Sequence, residues 1–202
     1  MTPKMIYDLF KSIDLAIHQV QVNDEKCYQM LAEKQCLNYF FSKIEDVDWF
    51  DELQRRGFFK PSTVTQEEVP CHWPPLDYLE KISSRVREGK CSEFSEKLLS
   101  IIKEITEYKK DNGEFIDNYH IWYKFIAILC NLPSRDIHEF LKKNAVDFSN
   151  WLKVWLPSKF ERSIVCSNLS TKLLPKFLTG NPADTDLAEK IVRSLLTIEY
   201  KE

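Results

Sequence analysis

The chain has 202 residues, with 28 basic and 31 acidic side chains and a formal net charge of −3, so its overall charge gives no attraction for nucleic acid. Hydrophobic residues make up 44% and charged residues 29%, an ordinary soluble balance, and the length supports a core without a disulfide or metal staple. Only four glycines occur; all-β folds and phosphate-cradling loops both consume glycine in turns, so the scarcity favours helices.

Helical periodicity runs along most of the chain. Ile6, Phe10, Ile13, Ile17 and Val20 form one stripe at spacings of three and four. Asp24 opens a second helix, whose apolar face includes Cys27, Met30 or Leu31, Leu37, Phe41 and Ile44. A short third helix is predicted from about Val47 to Arg56, with Gly57 as its C′ residue and Phe58 and Phe59 folding back onto the last turn.

Residues 57–74 make a long connection. It reads either as an exposed functional loop or as a strap pinned by Phe58, Phe59, Val64, Val69 and Trp73, and the aromatic anchors favour the strap. Pro74 and Pro75 suit the first turn of the next helix, where the missing backbone donor costs nothing. Leu76, Leu79, Ile82 and Val86 then form its stripe, and Gly89 ends it. Cys91 or Ser92 begins a helix with Phe94, Leu98, Ile101 or Ile102 and Ile105 on one face, and Asp111-Asn112-Gly113 signals a turn.

The segment from Phe115 to Leu132 is the most apolar. Phe115, Tyr119, Trp122, Ile126 and Leu129 make one stripe, and Ile116, Tyr123 and Ala127 a second, which predicts a central helix covered on two sides. Leu132-Pro133-Ser134 stops it and restarts the chain, with Ser134 as N-cap. Ile137, Phe140 and Leu141 share a face of one short helix; Phe148, Trp151, Leu152 and Trp155 share a face of the next, which Pro157 ends. A weaker helical pattern from Phe160 to Leu174 is expected to break at Pro175. Asn181-Pro182-Ala183-Asp184 reads as N-cap, first-turn proline and acidic third position of a last helix bearing Leu187, Ile191, Leu195 and Ile198. That helix meets the chain end without a C-cap, as in an N-terminal piece of a longer protein or a frayed terminus.

Chemistry-bearing motifs are sparse. No phosphate-loop or dinucleotide glycine pattern occurs. The six cysteines, at 27, 36, 71, 91, 130 and 166, form no Cys-x-x-Cys, and Met1 to Phe10 shows no leader-like apolar run. Reduced thiols in a cytoplasmic protein follow as the expectation. Cys71-His72 is the one adjacent ligand pair, short of the four ligands zinc takes, so no metal or cofactor is expected. A site at Cys71, His72 and Glu67 or Glu68 would require those groups to converge in space. His120 is expected in the core, hydrogen-bonded, with His18 and His138 at the surface. Arg135 and His138 stand too close for the Arg–His signature of the HEPN ribonucleases, and that reading is set aside. No apolar run approaches the ~20 residues of a membrane span.

Two surfaces remain. Trp49, Phe50, Phe58, Phe59, Trp73 and Tyr78 flank the 57–74 connection as core packing or as an aromatic docking patch. Arg55, Arg56, Lys60, Arg85 and Arg87 lie near helix ends, as solvated cations facing the dipole or as a phosphate-binding patch.

The combination Asp48-Trp49-Phe50-x-x-Leu53-x-x-x-Gly57-Phe58-Phe59-x-Pro61, followed by Trp73-Pro74-Pro75-Leu76-x-Tyr78-Leu79, resembles a pattern in helical, HEAT-like regions of large multidomain bacterial proteins. Some of those are ATPases or signalling proteins associated with phage defence. The match covers residues 48–79 and concerns structural positions, so it carries over no catalytic residue and implies a recognition or scaffold module.

The expected fold is all-α, with nine or ten helices in antiparallel pairs, stacked as a HEAT-like superhelix or packed as an irregular bundle. The chain reads as one domain, or as two stacked sub-units over 1–110 and 114–202. The expected function is a non-enzymatic protein-interaction or scaffold module acting through a protein partner or self-association. The alternative is a helical nucleic-acid-binding or nucleic-acid-processing domain.

Overall fold

The computed structural model describes Met5, Asp8 and residues 47–60, 74–156, 162–180 and 183–197. The stripes expected before Val47, the Cys71-His72 pair, Glu67, Glu68, Val64, Val69, Trp73, His18, Pro157 and Ile198 lie outside the described residues. Among the described residues every named element is helical, and the extended pairing is a single antiparallel bridge between Lys109 and Phe115. The all-α expectation therefore holds.

The chain divides into two compact units, Met1–Tyr78 and Leu79–Glu202. In the first, a 3₁₀ turn at Val47–Trp49 leads into α1, Phe50–Arg55. Gly57, at φ +75°, follows as C′. Its N–H donates to the Gln54 carbonyl at 2.9 Å and the Phe58 N–H to the Leu53 carbonyl at 3.0 Å, the paired bonds of a Schellman motif. The turn delivers Phe58 and Phe59 inward. Phe59 lies 5.3 Å from Phe50 and stacks on Tyr78 at 6.0 Å between ring centroids.

α2, Pro74–Arg87, begins at the paired prolines and ends at Gly89, whose N–H bonds the Val86 carbonyl while Lys90 N–H bonds that of Arg85. Leu76, Leu79, Ile82 and Val86 are all buried, as their spacing predicts. α3, Phe94–Glu107, buries both Ile101 and Ile102, so its apolar face is wider than a single stripe.

A hairpin forms at the expected Asp111-Asn112-Gly113 turn and takes in Phe115 and Ile116, where helix was expected. Lys110 N–H bonds the Glu114 carbonyl at 2.8 Å, Asn112 Oδ1 accepts from Glu114 N–H at 3.0 Å, and Gly113 sits at φ +82°. α4, Tyr119–Asn131, thus starts four residues later than predicted, capped by Asn118, whose side chain accepts from His120 N–H. Phe115 and Ile116 belong to the hairpin. α4 buries Trp122, Ile126 and Leu129 of the first expected stripe; its other buried residues are Ile121, Phe125 and Ile128, on the adjoining side, whereas Tyr123 and Ala127 of the expected second stripe are half-buried.

α5, Ser134–Lys143, has Pro133 at its N-cap, and Ser134, expected to cap, is its first helical residue and bonds no backbone donor. α6, Phe148–Trp155, is capped by Asp147, which accepts from Ser149 N–H at 2.9 Å.

The expected break at Pro175 does not occur. α7, Arg162–Asn168, continues through a π-helical turn, Leu169–Leu173, into α8, Leu174–Thr179. A proline ring clashes with the carbonyl four residues back; the widened turn, where Leu174 N–H bonds the Leu169 carbonyl, lets Pro175 enter at the start of α8. α9, Thr185–Leu196, is capped by Asp184 through Leu187 N–H at 3.2 Å, so Asp184 is the cap itself, not a third-position acid.

Within the second unit α3 packs on α5 and α6, α4 on α7 and the π turn, and α9 on α6 and α8. The centre is aromatic: Trp155 stacks on Trp122 at 6.2 Å and meets Phe148 edge-on at 6.2 Å, and Phe148 meets Phe177 edge-on. Each such ring contributes about 1.5–3 kcal/mol on burial relative to exposure.

Candidate functional site

An open groove of about 880 Å³ lies within the second unit. Three segments build it: the end of α3, the 108–117 hairpin, and the α5–α6 turn with the outer side of α6. Each is placed by local chemistry. Asn112-Gly113 is the strongest short hairpin signal, and it folds Phe115 and Ile116 back beside α3.

The α5–α6 turn is a second Schellman motif: Ala145 N–H bonds the Lys142 carbonyl at 3.2 Å and Val146 N–H that of Leu141 at 2.8 Å. Here the left-handed position is filled by Ala145 at φ +50°, the one described non-glycine residue with positive φ. Such a residue costs about 1–2 kcal/mol. The turn presents Ala145, Val146 and Asp147 to the groove.

Beneath the groove, two tryptophans tie α6 to α3. Trp155 Nε1–H donates to Thr106 Oγ1 at 3.1 Å, both side chains fully buried, and Trp151 Nε1–H donates to Glu107 Oε1 at 3.3 Å. Ile116 and Trp151 form an apolar floor with Val146 and Val154 half-buried above it, and Phe115, 39% exposed, forms one wall. The rim carries Glu107, Glu114, Asp117 and Asp147 against Lys109 and Lys153. Lys109 Nζ lies 5.2 Å from the Phe115 ring centroid, and Lys153 Nζ reaches Asn150 Oδ1 at 3.5 Å. An apolar trough with a carboxylate-rich rim is suited to binding and orienting a ligand, and its lining residues include no nucleophile–base pair.

A second, polar notch of about 610 Å³ lies between the start of α5 and the start of α9. His138 Nδ1 is 3.0 Å from Asp184 Oδ2, while Asp184 Oδ1 caps α9. Ser134 lines the same notch but makes no side-chain hydrogen bond, so the histidine–aspartate pair has no engaged nucleophile. Its evident work is to fasten α5 to the cap of α9.

Lys176 reaches from α8 to the Cys130 backbone carbonyl at 3.0 Å, satisfying one of the carbonyls left open at the end of α4. Burial lowers the Lys176 pKa below the usual lysine range, and burial raises that of the Cys130 thiol, with Lys176 and Lys172 partly opposing the rise. Burial of this kind disfavours the thiolate, the reactive form of a cysteine.

The residues singled out from sequence fall elsewhere. Phe50, Phe58, Phe59 and Tyr78 are buried, none more than 3% exposed, so these four pack in the core and are not open to a partner; Trp49 is half-buried, and Trp73 lies outside the described residues. The packing reason is the Schellman turn at Gly57, which swings both phenylalanines inward.

Arg55 and Arg56 both bond Glu52, at 2.8 and 2.5 Å, and Arg56 also meets Asp8 at 3.1 Å. These guanidinium groups, Arg56 foremost, hold the Glu52 carboxyl below its ordinary range. Lys60 and Arg87 are exposed and Arg85 half-buried. Arg55, Arg56 and Lys60 lie in the first unit, Arg85 and Arg87 in the second. His120 is half-buried at the first turn of α4 against the Tyr119 ring, 3.9 Å between centroids, with no side-chain hydrogen bond, so it is not the bonded core histidine expected.

The groove itself was not anticipated. Its available signal was Asn112-Gly113 between Tyr108-Lys109-Lys110 and Phe115-Ile116. Among the described residues no cluster of histidine, cysteine or carboxylate groups could hold a metal ion. No described helix is long and apolar enough to cross a membrane. Compared with protein-family models, with curated proteins and with solved structures, the chain matches none.

Proposed function

We propose that this chain is a non-enzymatic protein-interaction module, and that the groove of its second unit is the surface that receives a partner. The observation that carries the reading is the groove's composition: an exposed phenylalanine wall and an apolar floor edged by polar groups, without a catalytic constellation. Binding sites are typically concave and mostly apolar, with a few placed polar groups. The likeness of residues 48–79 to helical regions of large multidomain bacterial proteins fits the same role, as a HEAT-like recognition or scaffold segment of a cytoplasmic, defence-associated protein.

Selection of an unbiased peptide library on the purified chain tests it, with a Phe115→Ala variant as the counter-target. Phe115 is exposed, so its truncation spares the core. The reading expects enriched peptides that bind the wild-type chain and bind the variant at least tenfold more weakly. Enriched peptides that bind both equally would place the interaction elsewhere and refute it.

A further inference from the structure

The rim charges and the shape of the groove specify its occupant. Four carboxylates, from Glu107, Glu114, Asp117 and Asp147, and the two ammonium groups of Lys109 and Lys153 line the groove; Glu107 is paired with Lys103, which leaves Glu114, Asp117 and Asp147 as the acidic side of the rim. The two lining lysines are already engaged: Lys109 lies over the Phe115 ring and Lys153 reaches Asn150. Asp117 is exposed and makes no ion pair or hydrogen bond. The Lys109–Phe115 contact shows that a cation on an aliphatic stem is accommodated at this wall, the ammonium over the ring face and the methylenes along apolar surface. The groove is an open trough, not an enclosed cavity. A small molecule bound there stays largely wetted, whereas pockets for such molecules bury most of the ligand. A chain segment can lie along the trough, with apolar side chains on the floor and basic ones at the rim.

Resting on the reading of the groove as a binding surface, we infer that its occupant is a short peptide segment of a partner protein in which basic residues alternate with aliphatic ones. Charge complementarity speeds encounter and excludes acidic partners, so nucleic acid and acidic peptides are disfavoured by the same rim.

Three synthetic peptides test this, identical in their leucines and valines but carrying lysine, glutamine or glutamate at the alternate positions. Each is titrated into the isotopically labelled chain, with affinity from anisotropy and location from amide and indole chemical shifts. The lysine peptide is expected to shift Phe115, Val146, Val154 and the Trp151 indole. The glutamine peptide should bind about tenfold more weakly, and the glutamate peptide should leave these signals unmoved. Glu114→Gln with Asp117→Asn should weaken the lysine peptide by about fivefold, the sum of two exposed ion pairs, and high salt should shrink that difference.

Equal binding of all three peptides in the groove overturns the basic occupant while leaving the groove reading intact. Failure of the lysine peptide to bind also overturns it, and the library selection then decides the groove reading separately. Displacement of the lysine peptide by spermidine at comparable concentration would make the occupant a small cation. Movement of the groove signals on raising chain concentration alone would make it a second copy. Either result overturns the peptide assignment.

Discussion

The bond from Trp155 to Thr106 is the tie on which the floor of the groove depends, and its removal has a calculable cost. Thr106→Val keeps the shape of the side chain and exchanges the hydroxyl for a methyl. The indole N–H, at 3.1 Å from the lost oxygen and on a fully buried ring, then has no partner. A buried donor left unsatisfied costs about 1–3 kcal/mol, and the added apolar methyl returns up to ~0.8 kcal/mol. The expected net loss is about 1–2 kcal/mol, or roughly 4–8 °C in melting temperature for a cooperative unit of this size. Trp155→Phe would remove the donor instead, leaving a cavity around a smaller ring and a threonine hydroxyl that lacks its partner. The double variant isolates the bond: a double-mutant cycle in urea should give a coupling of about 1 kcal/mol. A Thr106→Val chain as stable as the wild type, or a coupling of zero, would refute the account of how α3 and α6 are joined.

Three further outcomes follow from the turns and charges. Ala145→Gly should stabilise the chain by about 0.5–1 kcal/mol, because relief of the left-handed strain exceeds the entropy glycine adds to the unfolded state; an unchanged urea midpoint would contradict this. Gly57→Ala should destabilise by about 1–2 kcal/mol, since φ +75° disfavours a side chain and the new Cβ would stand 2.8 Å from the Lys60 side chain; a neutral result would dissolve the Schellman argument. Lys176 gives a pH signature. Its pKa is lowered on folding, so the unfolded state holds more protons through the alkaline window up to the ordinary lysine value. Stability relative to a Lys176→Met variant should therefore rise with pH across that window, and a flat or falling difference would show the lysine is not desolvated.

Much of the helical framework was legible because its signals are local. Gly57 and Gly89 mark helix ends through backbone conformation alone, Pro74-Pro75 marks a start, and the faces of α2, α5 and α6 follow from spacing. Errors arose where two local signals compete. The apolar run from Phe115 reads as helix by composition, yet Asn112-Gly113 and the Asn118 cap assign its first residues to a hairpin. Pro175 is a helix breaker by rule, but a π turn absorbs it.

The aromatic set around residues 49–78 carried both a core and a surface reading, since periodicity states which residues share a face and not what covers it. Burial settles the core for Phe50, Phe58, Phe59 and Tyr78. The groove was illegible for a different reason. Its ties join residues more than forty positions apart, Thr106 to Trp155 and Glu107 to Trp151, and no local pattern encodes that meeting.

The central claim is that the groove at Phe115, Val146, Trp151 and Val154 is where this chain meets a partner. The most direct test maps chemical shifts on the labelled chain while titrating peptides enriched from the unbiased library. The account predicts that the largest shifts cluster at those four residues and the Trp151 indole. Shifts centred on the His138–Asp184 notch, with the groove signals unmoved, would contradict it.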